Sequence, residues 1–241
     1  MLAFEFIWLA SQSPRRRELL GRLGVRTELL VADSAIDIAE DVEALENPLE
    51  GENPTQYVER VVAAKLTAAM ARHQRRRLEA APILVADTTV AIGGRILGKP
   101  AHAAEAVEML SALSGRSHRV LTAMAIARPR IRSKLSEPPV PSEPTEPTEP
   151  TEPTDGEMES RWHPKILRVT SLSRVRFARL SRDQIDRYVA SGEPMDKAGA
   201  YAVQGGAGAF IRRIDGSDTG IMGLPLYEAS RLLQSAGALP R

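Results

Sequence analysis

Three segments of the chain carry side chains whose types and spacing suit chemistry. In the apolar run ILVADTTVAI, Ile83 to Ile92, Asp87 interrupts residues that should be buried. Ionising a carboxylate in such a place is strongly unfavourable unless something compensates it. A divalent cation, a lysine or a reacting water would do so, and a carboxylate on a central strand suits either metal binding or general-base work. Thr88 adds a hydroxyl beside it. A purely structural ion pair, or a chain turn at this point, would account for the same residues without chemistry.

The second segment is SQSPRRRELL. Ser13 suits a helix N-cap and Pro14 the first helical position, which puts Arg15 and Arg16 in the first turn, where the helix dipole favours acids. Basic residues there make sense if an anion arrives. Free N–H groups, the Ser11 and Ser13 hydroxyls and two guanidiniums would form a phosphate cradle; the alternative is a capped surface helix with solvated arginines. The third segment, GEPMDKAGAYAVQGGAGAF, places Asp196 and Lys197 ahead of a stretch rich in Gly and Ala. There Gln204, both donor and acceptor, precedes two glycines that allow a ligand close to the backbone, unless the stretch is only a glycine-rich hairpin.

Two lysines complete the set. Lys65 projects from the apolar stripe Val58, Val61, Val62, Leu66 and Ala69, an unusual direction for an ammonium unless it snorkels to the surface. Lys99 lies in GRILGKP, constrained by Gly98 and Pro100, and suits a phosphate contact. The four histidines, His73, His102, His118 and His163, show no metal-ligand spacing.

Strand-like and helix-like segments alternate, which argues for an α/β architecture. Strands are expected at Phe4–Ala10, Thr27–Ala32, Ile83–Ile92, Arg95–Leu97, His118–Ala127 and Leu167–Leu180. Helices are expected at Pro14–Leu23, Pro54–Arg72, Ala103–Leu113, Ser181–Ala190 and from Pro225 onward, with a glycine-rich hairpin around Tyr201–Ile214. The long strand after residue 165 alternates, with Val169, Ser171, Ser173, Val175 and Phe177 on one face.

The chain has 241 residues, 43% hydrophobic and 26% charged, a composition that excludes collagen, coiled coil and disorder throughout. No apolar run reaches the roughly 18 residues of a membrane-spanning helix, and the opening MLAFEFIWLA lacks the basic start and cleavage site of a signal peptide. The absence of cysteine removes thiol chemistry and agrees with a cytoplasmic setting. The net charge of +1 hides a division. Ser136–Ser160, within an insert spanning about residues 133–165, holds eight acids, no Lys or Arg and seven of the seventeen prolines, including four consecutive Glu-Pro-Thr units. Its composition cannot offset chain entropy, so a solvated, disordered hairpin loop inside a single domain, 1–241, is expected. The rest of the chain then carries +9, a charge that favours an anionic ligand.

In order and spacing, LASQSPRRRELL, VADTTVAIGGRILGKP, LSGRSHRVLTA, GEPMDKAGAYAVQGGAGAFI and GIMGLPLYE resemble the Maf family of nucleotide pyrophosphatases, over essentially the whole chain except the insert. The resemblance implies an elongated, ITPase-like α/β fold: a mixed twisted sheet flanked by helices, with two lobes around a central cleft, often homodimeric. It also implies hydrolysis of nucleoside triphosphates to monophosphate and pyrophosphate with a divalent cation, Mg²⁺ or Mn²⁺. Arg15 after Ser13-Pro14, Thr88 after Asp87, and Gln204 look like the branch acting on dTTP and UTP, whereas the branch acting on 7-methyl-GTP carries Trp and Glu at the first and last of these positions. By the same resemblance Asp87 corresponds to the proton acceptor, and Arg15, Thr88 and Gln204 to the substrate-selecting positions. Ser13, Arg16, Lys65, Lys99, Asp196 and Lys197 match positions that line the cleft. Asp87 and Asp37 would hold the metal. One departure stands out: Ile38 occupies the place of an expected Glu, so that either Glu40 or Asp41 takes over or the metal site is weakened.

The alternatives are a nucleotide-binding regulatory protein with weak catalysis, a pyrophosphatase for 7-methyl-GTP or other modified nucleotides, and a nucleic-acid-binding module. The last lacks an aromatic stacking surface and is not expected. Neither a membrane nor a nucleic-acid partner is anticipated. Deleting Ser136–Ser160 is predicted to leave thermal stability and activity close to those of the full chain; a melting temperature lowered by about 10 °C or more would show that the tract supports the fold.

Overall fold

A computed structural model describes residues 2–33, 37, 46–129 and 164–240. In chain order its elements are β1 (Ile7–Leu9), α1 (Pro14–Arg22), β2 (Thr27–Leu29), α2 (Pro54–Arg75), β3 (Ile83–Ile92) and β4 (Arg95–Leu97). Then come α3 (Ala103–Leu113), β5 (Ser117–Arg128), β6 (Lys165–Phe177), α4 (Arg182–Ala190), β7 (Ile211–Asp215), the short α5 (Asp218–Ile221) and α6 (Leu226–Ala236). The seven strands form one mixed sheet in the order β2-β1-β3-β5-β6-β7, with β4 beside β3. β1 runs parallel to β2 and β3, and all other pairs are antiparallel. The fold is therefore mixed α/β, as expected.

The apolar pattern explains the layers. Period-two alternation along β3 sends Ile83, Val85 and Ala91 to one face, where they meet Val58, Val61, Val62, Leu66 and Ala69 of α2. Leu84 and Ala86 face the other way, onto Leu19 and Leu20 of α1 and Leu232 and Leu233 of α6. Farther along that second face, Val90, Ile92, Val120 and Phe177 pack with Leu110 and Leu113 of α3 and with Ile185 and Val189 of α4. A belt of buried hydroxyls separates these last two clusters: Thr122 donates to Gly220 O at 2.7 Å and Ser173 to Ser217 O at 2.9 Å, which seats α5 on the sheet.

Among the described residues, the edge of β3 opposite β5 is paired at its two ends. β1 pairs with it at Ile83 and Leu84, and β4 from Val90 to Ile92. Between these two partial neighbours, no strand among the described residues pairs with residues 85–89 on that edge, and Asp87 and Thr88 sit in this gap.

Three expected elements differ. The stretch after α4 is not a hairpin but three short 3-10 turns, Glu193–Asp196, Ala198–Ala200 and Gly206–Phe210, followed by β7 on β6. Pro194 and the left-handed Gly199 (φ 69°) break any ladder there. β1 and β2 are shorter than the apolar runs that contain them. The expected acidic loop, residues 133–165, lies almost wholly outside the described residues, but Arg128 pairs with Lys165, so the chain leaves β5 and enters β6 at one point of the sheet.

Two buried polar groups hold distant segments. His118 of β5 shares a 2.8 Å hydrogen bond with the Tyr201 hydroxyl, lies edge-on to Phe177, and has its Nδ1 buried without a hydrogen-bond partner. Burial pushes its pKa down to about 4. Asp37, expected among the metal ligands, has its carboxylate fully buried against the C-terminal turns of α2. It accepts from Arg75 and Arg76, each at 2.6 Å, lies 3.5 Å from Arg72 Nε, and takes the Asp33 N–H at 2.9 Å. The Asp33 N–H and the Arg75 guanidinium, opposed by burial and joined by Arg76, hold this carboxyl well below the usual carboxylate range.

These two groups predict separate acid transitions. The neutral imidazole of His118 stabilises the fold fully above about pH 6.5, and that contribution, about 3 kcal/mol, is lost as the pH falls to about 4. His118→Gln should flatten the pH dependence of unfolding free energy in this window. Asp37 acts lower: its depressed pKa contributes stability above about pH 4 that fades below it. Asp37→Asn should lower the melting temperature at pH 7 by on the order of 10 °C and remove the steep loss below pH 4; unchanged melting would show that the arginine cluster does not depend on this carboxylate.

Candidate active site

The first turn of α1 is built as the sequence suggests, with one difference. Ser13 occupies the N-cap position with extended backbone angles, but its side chain makes no capping hydrogen bond, and no acid lies in the first turn. Ser11 takes over part of the local work, its Oγ accepting from the Ser13 N–H at 3.2 Å and from Arg16 Nη1 at 3.1 Å. Arg16 Nε donates to the Gly223 carbonyl at 2.9 Å. Gly223 has φ 115°, a backbone conformation that calls for glycine, and a Cβ there would make ordinary contacts with Arg16 Nε at 3.4 Å and Thr88 Oγ1 at 3.7 Å. One residue thereby brings Arg16 and Thr88 together. Burial lowers the Arg16 pKa, opposed chiefly by Asp87 and then by Glu46, which places this guanidinium in the field of both carboxylates.

Lys65 settles the question of its direction. It lies on the α2 face that packs against β3, and its Nζ donates to Asp87 Oδ1 at 2.7 Å and to Glu46 Oε1 at 2.6 Å. The Lys65 and Asp87 side chains are 16% and 13% exposed, so the ammonium does not snorkel outward. Asp87 projects to the α2 face by strand alternation, where Lys65 compensates it. Thr88 projects to the opposite face and hydrogen-bonds Thr122 Oγ1 at 2.9 Å. Both lie in the stretch of β3 between its pairings with β1 and β4, on opposite faces of the sheet.

Glu46 is a site residue that carries no mark in the sequence. The Tyr57 hydroxyl donates to its backbone carbonyl at 2.7 Å, and Arg60 anchors the following segment through Asn47 O and Glu52. Its Oε2 lies 3.9 Å from Lys99 Nζ. Burial works against ionising Glu46, but Lys65, with Lys99 and Arg16 beyond it, outweighs that penalty and the pKa falls. One carboxylate among the many acids between Asp37 and Glu52 gives no signal of its own; only the position of Tyr57 one turn into α2 selects it.

Asp196 binds Lys197 in a close ion pair and lies in the field of Arg15. The Gly199 N–H donates to Gly98 O at 2.9 Å, which ties this segment to the loop bearing Lys99. Gln204 is exposed on the following turn. Asp37 does not join the group: its arginine partners lie two to three helical turns beyond Lys65, about 10–16 Å along α2, and guanidiniums engage both of its oxygens. Ile38, Glu40 and Asp41 fall outside the described residues. Among the described residues no three acidic or histidine side chains converge as a cage for a metal. Asp87 and Glu46 are two hard oxygen donors bridged by one ammonium, and a small divalent cation needs only one or two carboxylates when substrate phosphates and waters complete its shell. The pair fits such an ion.

Residues 6–236 match the Maf-like protein family. The chain is 51% identical to the dTTP/UTP pyrophosphatase of Burkholderia pseudomallei (strain 1710b) over 234 residues, which cover 97% of this chain and 95% of that protein. It is 48% identical to the dTTP/UTP pyrophosphatase of Albidiferax ferrireducens over 233 residues, covering 97% and 98%. Its identity to the protein of the same name from Ralstonia nicotianae is also 48%, over 230 residues and 95% and 93% of the two chains. With the match running from the first strand to the last helix, this chain belongs to the Maf-like protein family.

Proposed function

We propose that this chain hydrolyses dTTP and UTP to the nucleoside monophosphate and pyrophosphate. The observation that carries the reading is the Asp87–Lys65–Glu46 cluster in the gap of β3, in a chain about half identical over nearly its full length to dTTP/UTP pyrophosphatases. Lys65 holds Asp87 by Oδ1, leaving Oδ2 to orient a water and take its proton. The water oxygen bonds to the α-phosphorus as the bond from that phosphorus to the bridging oxygen breaks, and pyrophosphate departs with the electron pair. Arg16, Lys99 and the first turn of α1 offset charge on the triphosphate, and Ser13, free of capping duty, is available to a phosphate oxygen. Asp87 and Glu46, rather than Asp37, would hold Mg²⁺ or Mn²⁺, which when bound neutralises the phosphate oxygens.

Arg15, Thr88 and Gln204 would select the base, with Asp196 and Lys197 shaping the wall that bears Gln204. The two sides of the gap, one carried by β1 and α1 and the other by β4 and the turns after α4, would form the two lobes of a cleft. Among the described residues no helix is long and apolar enough to cross a membrane, and we place the activity in the cytoplasm, where nucleoside triphosphates are held. The resemblance implies a homodimer, which sedimentation of the full chain would read.

Asp87→Asn should reduce pyrophosphate release from UTP by at least about 10²- to 10⁴-fold while the melting curve persists; near-normal turnover would remove Asp87 from the reaction. Glu46→Gln should raise the Mg²⁺ or Mn²⁺ concentration needed for half-maximal rate, an effect that Asp37→Asn should not reproduce. If Asp37→Asn alone shifts the metal requirement, the assignment reverses. Arg15→Trp combined with Gln204→Glu should move preference from UTP toward 7-methyl-GTP, and an unaltered substrate profile would refute these positions as selectors.

A further inference from the structure

Gln204 is exposed, and among the described residues no hydrogen bond holds its side-chain amide, so its aim depends on the backbone that carries it. That backbone is gripped from both sides by one pair of residues outside the turn. The Tyr188 hydroxyl, from α4, accepts the Ala202 N–H at 3.2 Å and donates to Glu193 Oε1 at 2.8 Å. The other oxygen of Glu193, Oε2, accepts the Gly206 N–H at 3.1 Å. Ala202 and Gly206 flank Gln204 by two residues on either side, and the Gly205 N–H closes the turn onto Ala202 O at 3.2 Å.

The fit is tight. A Cβ on Gly205 would stand 1.9 Å from Glu193 Oε1, although its φ of −103° is open to any residue, so glycine is there to admit the carboxylate. The anchor is firm at its far end as well: the Tyr188 ring packs edge-on to Phe210 at 5.3 Å, and the Ser191 hydroxyl donates to Tyr188 O at 2.6 Å and accepts the Glu193 N–H at 3.3 Å.

We propose that Glu193, with Tyr188, is a positioning residue for base selection: its carboxylate fixes the turn so that the Gln204 amide meets the pyrimidine edge, without touching the nucleotide itself. The proposal rests on the reading of this site as a dTTP/UTP pyrophosphatase. Its physical content is that a flexible amide recognises a base edge well only when its main chain is held in advance, because each rotor left free must be ordered on binding. A carboxylate suits the task because it accepts from the tyrosine and from the Gly206 N–H at once, whereas a glutamine at 193 offers one acceptor oxygen and an NH₂ that cannot accept from either donor.

The test is a double-mutant cycle on the full chain with pyrophosphate detection, using UTP, dTTP and, as a substrate without a base, ribose 5′-triphosphate. Glu193→Gln should raise KM for UTP and dTTP by about tenfold with kcat within about twofold, and leave ribose 5′-triphosphate hydrolysis unchanged. Tyr188→Phe should act in the same direction. In a Gln204→Ala background, Glu193→Gln should add nothing further to the UTP defect. Additive effects in the cycle, or equal losses with UTP and with the base-free substrate, would overturn the proposal and leave Glu193 as general support of the fold, which melting curves would register. If the wild-type chain released no pyrophosphate from UTP or dTTP, the underlying function would fall instead, a result distinct from either.

Discussion

The site depends on neutralising one carboxylate in a strand whose neighbours are otherwise apolar. Asp87 sits in the middle of β3, between Ile83–Ala86 and Thr89–Ile92, which are buried almost completely. A charge there is stable only if an opposite charge reaches it, and removing one partner of such a pair typically costs about 3–5 kcal/mol. Lys65 can reach it because it stands one helical turn beyond Val61 and Val62, on the face of α2 already pinned to β3 by apolar packing. The hydrophobic layer therefore sets the geometry of the ion pair. That pair lies where the described edge of β3 is broken, because β1 has ceased to pair by Val85 and β4 has not begun before Val90.

Two acid–base networks share α2, and they differ in how fully the acid is committed. At the C-terminal end Asp37 faces three arginines and a backbone N–H, with guanidiniums on both oxygens. A cation would have to displace those partners, so this network suits the task of tying the segment after β2 to the helix. At the middle of α2 the arrangement differs: Lys65 bridges two carboxylates, Asp87 and Glu46, and Lys99 reaches Glu46 only at 3.9 Å. Such a cluster has oxygen lone pairs to spare and gains from added positive charge, while Arg16 and Lys99 at its rim gain from added negative charge. A metal-bound triphosphate supplies both at once.

Much of this is legible in the residues because apolar periodicity and a stranded charge are local signals. β3 and α3 fall at their expected ends, α2 extends one turn beyond, and the stripe that fixes the face of α2 also fixes the direction of Lys65. What stays hidden is non-local. Asp37 and Glu46 are both acids in an acid-rich stretch, and only the return of the chain through Arg72, Arg75 and Arg76 for one, and through Tyr57 and Lys65 for the other, separates an arginine counter-ion from a neighbour of Asp87 proposed as a site residue. The turns after α4 resemble a hairpin in sequence because glycine marks close approach as often as it marks a β-turn. Gly199 packs against Val90, and Gly205 against Glu193.

The hydroxyl chain from Thr88 mechanically joins the position proposed to select the base to the site proposed to hold phosphate. Thr122 donates its single proton to Gly220 O, so in the Thr88–Thr122 hydrogen bond Thr122 accepts and Thr88 donates. Thr88 thus has only lone pairs left to offer toward the gap. Gly220 lies within α5, its N–H is taken by Ser217 Oγ, and its carbonyl accepts the Gly223 N–H at 3.0 Å. Gly223 in turn presents its carbonyl to Arg16. A displacement of Thr88 would travel through Thr122 and the α5 turn to the guanidinium proposed to hold the triphosphate. The residue beside the proposed base is therefore also a strut for the phosphate site, and a substitution at 88 should alter KM for every triphosphate and not only the choice among bases.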